Sequence, residues 1–325
     1  MYSNVDSHVL PQTEFNVEKL WAEGEVIKNH PRVRSARIGE QLVTVHRFSG
    51  TIPSGIKILI EHPDLAAVAG LKLANENFYV MDFVEGELLD SFPPETQLVQ
   101  PLIQQMLRLW RFGWENLVEA RRERPVIAPI TPAQYVEMPD TVLSSAYVYS
   151  QAVTNALQRL ADRGPGHYII HGDLKADNIV RVDQDAIKFV DWECSGAGHP
   201  EDDVASLLSS LCIYGLGRAV RKVQDVTNGV SLHEHVTQEL YKVCCFSNTL
   251  LQQLHQEAPE ISTDFIGEAF LVSSLCRMQG ILFVPSSEAM RLTVTEFVKH
   301  TVQGGPEAVR AWLTGGVTAE AMRTP

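Results

Sequence analysis

The stretch from His171 to Glu193 constrains this 325-residue chain more than any other part of it. It contains Asp173, then Asn178, and ends shortly after Asp191. Short apolar runs separate these polar groups and predict buried strands, so the chain must turn sharply between them. Gly172 gives the first turn the backbone freedom that it needs. The pattern predicts that two carboxylates and one amide meet at the ends of a short hairpin.

These residue types in this order are typical of phosphoryl transfer from ATP. A carboxylate such as that of Asp173 can hold the incoming hydroxyl, and the oxygens of Asn178 and Asp191 are hard ligands for the Mg²⁺ ions that neutralise the phosphates. The alternative is a polar hairpin between buried strands that contains acidic residues by chance. Several residue types at fixed spacings favour the first interpretation.

The sequence H-G-D-L-K-A-D-N followed by F-V-D-W-E resembles the aminoglycoside phosphotransferase and choline kinase family. The resemblance implies an α+β, bilobal protein-kinase-like fold. Its small β-rich N-lobe, here a reduced one, would comprise residues 1–84. Residues 85–325 would form the large, mostly helical C-lobe with the catalytic loop and the acceptor site. Asp203 matches a family aspartate that opens the next helix and supports the loop.

The same resemblance assigns roles to five residues. Asp173 is the expected catalytic base, and His171 and Lys175 are the other expected catalytic residues of this loop. Asn178 and Asp191 are the expected Mg²⁺ ligands, so ATP and Mg²⁺ are the expected cofactors.

The N-terminal part departs from the family at the elements that cover the phosphates. Two strands, 33–38 and 42–48, are predicted around the turn Gly39-Glu40-Gln41, which is too short for a phosphate-covering loop. The other candidate loop, 49–55, has small residues, but Pro53 removes one backbone donor.

The residue that replaces the phosphate-anchoring lysine stays open between two candidates, both of a type that binds phosphate. Arg47 lies on the second predicted strand, and His46 would point to the opposite face. Lys57 lies within residues 54–62, which are either a short helix that carries Glu61 or a strand. Lys57 could also be an ordinary surface charge.

Residues 65–74 and 78–84 are predicted to form a hairpin. By the resemblance, its end is the hinge between the lobes, where backbone groups of Phe83, Val84 and Glu85 would contact adenine. An ordinary edge strand is the alternative. Helical periodicity predicts helices over residues 15–30, 94–124, 132–162, 202–224, 232–257, 263–283 and 286–302.

The composition limits the classes of partner and the cellular compartment that are expected. The excess of 40 acidic over 27 basic residues, a net charge of −13, argues against nucleic-acid and anionic-membrane partners and weakly favours a cationic substrate. Five cysteines without a C-x-x-C pair predict reduced thiols. The absence of a secretion signal and of a long apolar run predicts a cytoplasmic protein.

Together these features predict an ATP- and Mg²⁺-dependent phosphotransferase that acts on a hydroxyl of an aminoglycoside, a sugar or an amino alcohol. One alternative is a Ser/Thr kinase that modifies a precursor peptide in peptide natural-product biosynthesis, with a partner protein that completes the N-lobe. The other is a nucleotide-binding pseudokinase, which the intact Asp173, Asn178 and Asp191 set disfavours.

Overall fold

The structure is a computed structural model. It describes residues 17–23, 25–26, 33–38, 40–48, 52–74, 77–111, 151–164, 166–184, 186–225, 231–262, 265–283 and 286–315.

A five-stranded antiparallel sheet forms the N-terminal part, with the strand order β1-β2-β3-β5-β4. The strands are β1 (Glu25–Val26), β2 (Val33–Ile38), β3 (Gln41–Arg47), β4 (Leu71–Ala74) and β5 (Phe78–Asp82). Helix α1 (Val17–Glu23) precedes the sheet, and α2 (Ser54–Glu61) and α3 (Pro63–Ala69) connect β3 to β4.

The two faces of this sheet pack against different partners. Val43 and Val45 of β3 are fully buried in a small apolar cluster with Phe78 and with Val17 of α1. The opposite face carries Tyr79, which belongs to the main core together with residues of α2. Side chains that alternate along β3 therefore lie either under α1 or toward the main core.

Several predictions for this region are corrected or confirmed by the structure. The predicted helix over 15–30 is shorter, since α1 ends at Glu23 and β1 follows. Residues 65–69 are helical rather than extended, because Pro63 starts α3 and Gly70, with φ 74°, ends it in the left-handed conformation. The helical alternative for residues 54–62 is confirmed.

Six long helices dominate the described C-terminal part. They are α4 (Val99–Trp110), α5 (Gln151–Asp162), α6 (Pro200–Asp225), α7 (Leu232–Glu257), α8 (Ile266–Phe283) and α9 (Glu288–Leu313). The last four confirm the predicted helices, although α9 continues beyond residue 302 through a kink at Gly305 and Pro306. Residues 112–124 and 132–150 of the predicted helices lie outside the described residues.

Two small sheets hold the segment between α5 and α6. Strand β7 (Tyr168–Ile170) pairs with β10 (Gly196–Gly198), and β8 (Ile179–Arg181) pairs with both β6 (Glu87–Leu88) and β9 (Ile187–Phe189). All pairs are antiparallel. The loop between β7 and β8 and the turn after β9 therefore emerge beside each other.

All five cysteines are free thiols, as predicted. Among the described helices, α6 is long and apolar enough to cross a membrane by length and composition, but 94% of that stretch is buried within the protein, as in a core helix.

Candidate active site

The loop between β7 and β8 is anchored by Asp203 in the first turn of α6. The Asp203 carboxylate accepts hydrogen bonds from the backbone N–H of His171 at 2.9 Å and of Gly172 at 2.8 Å. It also accepts one from Trp110 Nε1 at 3.2 Å. Gly172 turns the chain there with φ 81°, a conformation that favours glycine. The prediction that Asp203 supports the loop is confirmed by these contacts.

His171 lies behind the loop rather than at its surface. Its side chain is fully buried, and its ring centre lies 4.9 Å from that of Trp192. Nε2 is 2.9 Å from the carbonyl oxygen of Val190, and because a carbonyl only accepts, Nε2 carries the proton and donates it. His171 therefore ties the loop to the end of β9 and acts as a positioning residue.

Asp173 lies at the open side of the loop, with 33% of its side chain exposed. Lys175 Nζ is 3.1 Å from its Oδ2, and Nη2 of Arg277 is 4.0 Å from its Oδ1. The Asn178 amide donates to the Asp173 backbone carbonyl at 2.9 Å and keeps the turn closed. The carboxylate is therefore accessible and lies between two cations.

Asn178 and Asp191 lie at the same end of the β8–β9 hairpin. The backbone N–H of Val190 donates to the Asn178 carbonyl at 2.9 Å, which brings the neighbouring Asp191 beside Asn178. The Asn178 side-chain nitrogen is used by the loop, so its side-chain oxygen remains to bind a hard cation.

The electrostatics of Asp191 suit a dication. Burial, and then the charge of Glu193, raise the pKa of Asp191 to about 6, against the opposing effect of Lys175. A bound divalent cation would stabilise this ionised carboxylate. No cluster of three or more His, Cys, Asp or Glu suited to a metal occurs in the described part of the chain. Two protein oxygens still fit Mg²⁺, because nucleotide phosphates supply further ligands in such sites.

A hydrogen-bonded chain joins the N-terminal sheet to the segment after Asp191. The hydroxyl of Tyr79 donates to Glu193 Oε1 at 2.7 Å and lies 2.9 Å from Nδ1 of His46. Burial, and then the charge of Glu193, raise the pKa of Tyr79, so its proton stays on the hydroxyl. Nδ1 of His46 is then the donor to this hydroxyl. The sequence offered only one signal of these hydrogen bonds, the alternation that places the side chains of His46 and Arg47 on opposite faces of the sheet.

The two residues predicted to contact the phosphates, Arg47 and Lys57, have no contact with Asp173, Asn178 or Asp191 among the described interactions. The guanidinium of Arg47 is 5.9 Å from the ring centres of both Trp21 and Phe78, on the α1 side of the sheet. The structure does not bring Arg47 to the catalytic loop. Lys57 is exposed on α2, and none of the described residues forms an ion pair with it. Residues 49–51 of the candidate phosphate loop lie outside the described residues.

The predicted hinge follows directly after β5, which ends at Asp82. The backbone N–H of Phe83 donates to the Leu42 carbonyl at 3.2 Å and ties the segment to the sheet. Phe83 and Val84 are partly exposed, and Glu85 is exposed. The predicted adenine contacts of these three residues stay a prediction.

The comparisons with known proteins agree with this geometry. A model of the phosphotransferase enzyme family matches residues 53–225, from α2 to the end of α6. No curated protein sequence matches the chain.

Solved structures show the fold. The aminoglycoside phosphotransferase APH(4)-Ia is similar with 14% identity and a TM-score of 0.53, over 90% of this chain and 96% of that one. Choline kinase LicA from Streptococcus pneumoniae has 13% identity and a TM-score of 0.52, over 88% and 97%. Plasmodium vivax ethanolamine kinase has 14% identity and a TM-score of 0.50, over 85% and 81%. The predicted protein-kinase-like fold is confirmed.

Proposed function

This chain belongs to the phosphotransferase enzyme family, and from that premise we propose that it uses ATP and Mg²⁺ to phosphorylate a hydroxyl group of a small molecule. The observation that carries the proposal is the accessible Asp173 carboxylate in a loop that also presents Asn178, beside the partly buried Asp191. This arrangement supports phosphoryl transfer to an alcohol. It does not favour the alternative of a pseudokinase, which would bind nucleotide without turnover.

The chain's own residues suit an in-line transfer. Asp173 accepts the hydrogen bond of the acceptor hydroxyl and takes its proton as the oxygen bonds to the γ-phosphorus. The bond from that phosphorus to the bridging oxygen breaks, and ADP leaves with the electron pair. Asn178 and Asp191 would hold Mg²⁺, which neutralises phosphate charge when bound. Lys175, between Asp173 and Asp177, is placed to steady the transferred group.

The solved relatives support nucleotide use and a small acceptor. Variants of APH(4)-Ia have been crystallised in ternary complexes of hygromycin B with AMP-PNP and with ADP. The acceptors named for these relatives are hygromycin B, choline and ethanolamine, and none is a peptide. The peptide alternative and its partner protein therefore have no support from them.

The test combines nucleotide binding with turnover. ATP should raise the melting temperature in a manner that depends on Mg²⁺, because ligands stabilise the native state by mass action. ADP formation should then be screened against aminoglycosides, sugars and amino alcohols. The absence of any nucleotide-dependent shift would contradict the proposal.

Two variants assign the roles. Asp173→Ala should lower turnover by about 10²- to 10⁴-fold with nearly unchanged nucleotide affinity, because the base faces the acceptor. Asp191→Asn should abolish the Mg²⁺ dependence of both binding and turnover. The matched control is Asp183→Ala, which removes an exposed acid from the β8–β9 hairpin. Equal effects of the control and of Asp173→Ala would refute the role of the base.

A further inference from the structure

Arg277 of α8 lies beside the candidate base, and we propose that it binds an acidic group of the acceptor. The inference rests on the proposed function and names the class of its substrate, a hydroxyl-bearing carboxylic acid. Nothing in the sequence pattern singled out Arg277, since it lies on a helix far along the chain from the catalytic loop.

The guanidinium of Arg277 is held in place before any ligand arrives. Its Nη2 donates to the Ser206 carbonyl at 3.0 Å and to the Ser206 hydroxyl at 2.7 Å, and its Nε donates to Ser209 Oγ at 3.2 Å. Only 16% of the side chain is exposed. A guanidinium that α6 already orients loses little conformational entropy when it binds a carboxylate.

Arg277 also keeps donor capacity beyond these bonds. Its distance of 4.0 Å to Asp173 Oδ1 is an ion-pair distance and is too long for a hydrogen bond. In the described part of the chain, Nη1 of Arg277 makes no hydrogen bond. The unused Nη1 can donate a charge-assisted hydrogen bond to one oxygen of a carboxylate.

Arg277 and Asn178 approach different oxygens of the Asp173 carboxylate. Lys175 Nζ is 3.1 Å from Oδ2, and the side-chain nitrogen of Asn178 is 3.4 Å from the same oxygen. Nη2 of Arg277 is 4.0 Å from the other oxygen, Oδ1. Lys175 is thus on the side of the expected metal ligand, and Arg277 is on the other side of the carboxylate, where the acceptor would lie.

The charge of Arg277 therefore favours an acidic group over a cationic one at this position of the acceptor. An ammonium group next to the reacting hydroxyl would meet the fixed positive charge of Arg277, whereas a carboxylate would be attracted to it. This selection replaces the weak preference for cations that the net charge suggested.

The experiment compares acids with neutral or cationic analogues that differ only at the carboxylate. Suitable pairs are D-gluconate with sorbitol, L-serine with serinol, and D-glycerate with glycerol. For each pair, ADP formation and the melting temperature of the Mg²⁺–AMP-PNP complex are measured. We expect the acid to exceed its analogue by about 10- to 100-fold in kcat/KM or in apparent affinity, as for a hydrogen bond to a charged group.

The variants Arg277→Gln and Arg277→Lys test the residue itself. Both should reduce the ratio of kcat/KM for the acid to kcat/KM for its analogue by about 10- to 100-fold and leave AMP-PNP affinity unchanged. Arg108→Gln, which removes an exposed arginine of α4, is the matched control and should keep the ratio.

Three results would overturn the inference. The first is an analogue that reacts or binds as well as its acid, and the second is a panel in which no acid binds better than its analogue. The third is an equal loss of turnover for both members of a pair in the variants, since Arg277 would then only orient Asp173 or contact the transferred phosphoryl group. If the wild-type protein bound no nucleotide, the proposed function itself would be refuted.

Discussion

Replacement of Asp203 by asparagine should loosen the catalytic loop without changing the volume of this fully buried side chain. Asp203 Oδ1 accepts from Gly172 N at 2.8 Å, and Oδ2 accepts from His171 N at 2.9 Å and Trp110 Nε1 at 3.2 Å. Asparagine has one acceptor oxygen, so its NH₂ group must face at least one of these donors.

The magnitude follows from these three bonds. One buried donor left without an acceptor costs about 1–3 kcal/mol, and the loss of the negative charge weakens each remaining bond by about 1 kcal/mol. Asp203→Asn should therefore lower the free energy of unfolding by about 3–5 kcal/mol. That is a large share of the ~5–15 kcal/mol typical of a folded protein.

Urea denaturation of the wild type and the variant measures this loss, and turnover measures its consequence. A displaced loop should lower kcat by about 10- to 100-fold, because small errors in the position of the base have large effects. Asp202→Asn removes the neighbouring charge in the same helical turn and is the matched control. If both variants lose equal stability, or if Asp203→Asn keeps full kcat, the anchoring role is refuted.

Two further predictions concern packing and pH. Gly55→Ala should lower the melting temperature and turnover together, since a Cβ there would lie only 2.1 Å from the Trp192 carbonyl oxygen in the segment after Asp191; calorimetry that shows no change would contradict this close packing. Glu239→Gln should remove a pH-dependent part of stability. Burial raises the pKa of Glu239, but hydrogen bonds from two lysines and Arg218 outweigh it and lower the pKa from an ordinary 4.5 to about 2. The ionised Glu239 should therefore contribute about 3 kcal/mol to the stability of the wild type above pH 4.5, and this contribution should be lost as the pH falls toward 2. The variant should lack this pH-dependent contribution. Denaturation of both proteins at pH 7 and at pH 3 measures the difference.

The sequence by itself predicted the fold class and the grouping of the candidate site residues. Asp173 lies in the loop that leads into β8, and Asn178 and Asp191 flank the β8–β9 hairpin, so chain connectivity alone brings them together. Their spacing could therefore be interpreted without knowledge of distant contacts. The long helices after Asp203 were equally predictable, because their apolar periodicity persists over many turns.

Short segments and distant contacts needed the tertiary structure. Residues 65–69 have an apolar pattern that suits a strand or a helix, and their packing in the main core as α3 settled the choice. Arg277 reaches Asp173 only because α8 packs against α6, where Ser206 and Ser209 orient the guanidinium. No local spacing signals such a contact.

The N-terminal sheet shows the same division. Alternation along β3 assigned His46 and Arg47 to opposite faces, which is a local property of any strand. It did not determine which face is turned toward the catalytic loop. That was decided by packing, because α1 covers the face of Arg47 with Trp21, while Tyr79 on the other face reaches Glu193 and carries His46 with it.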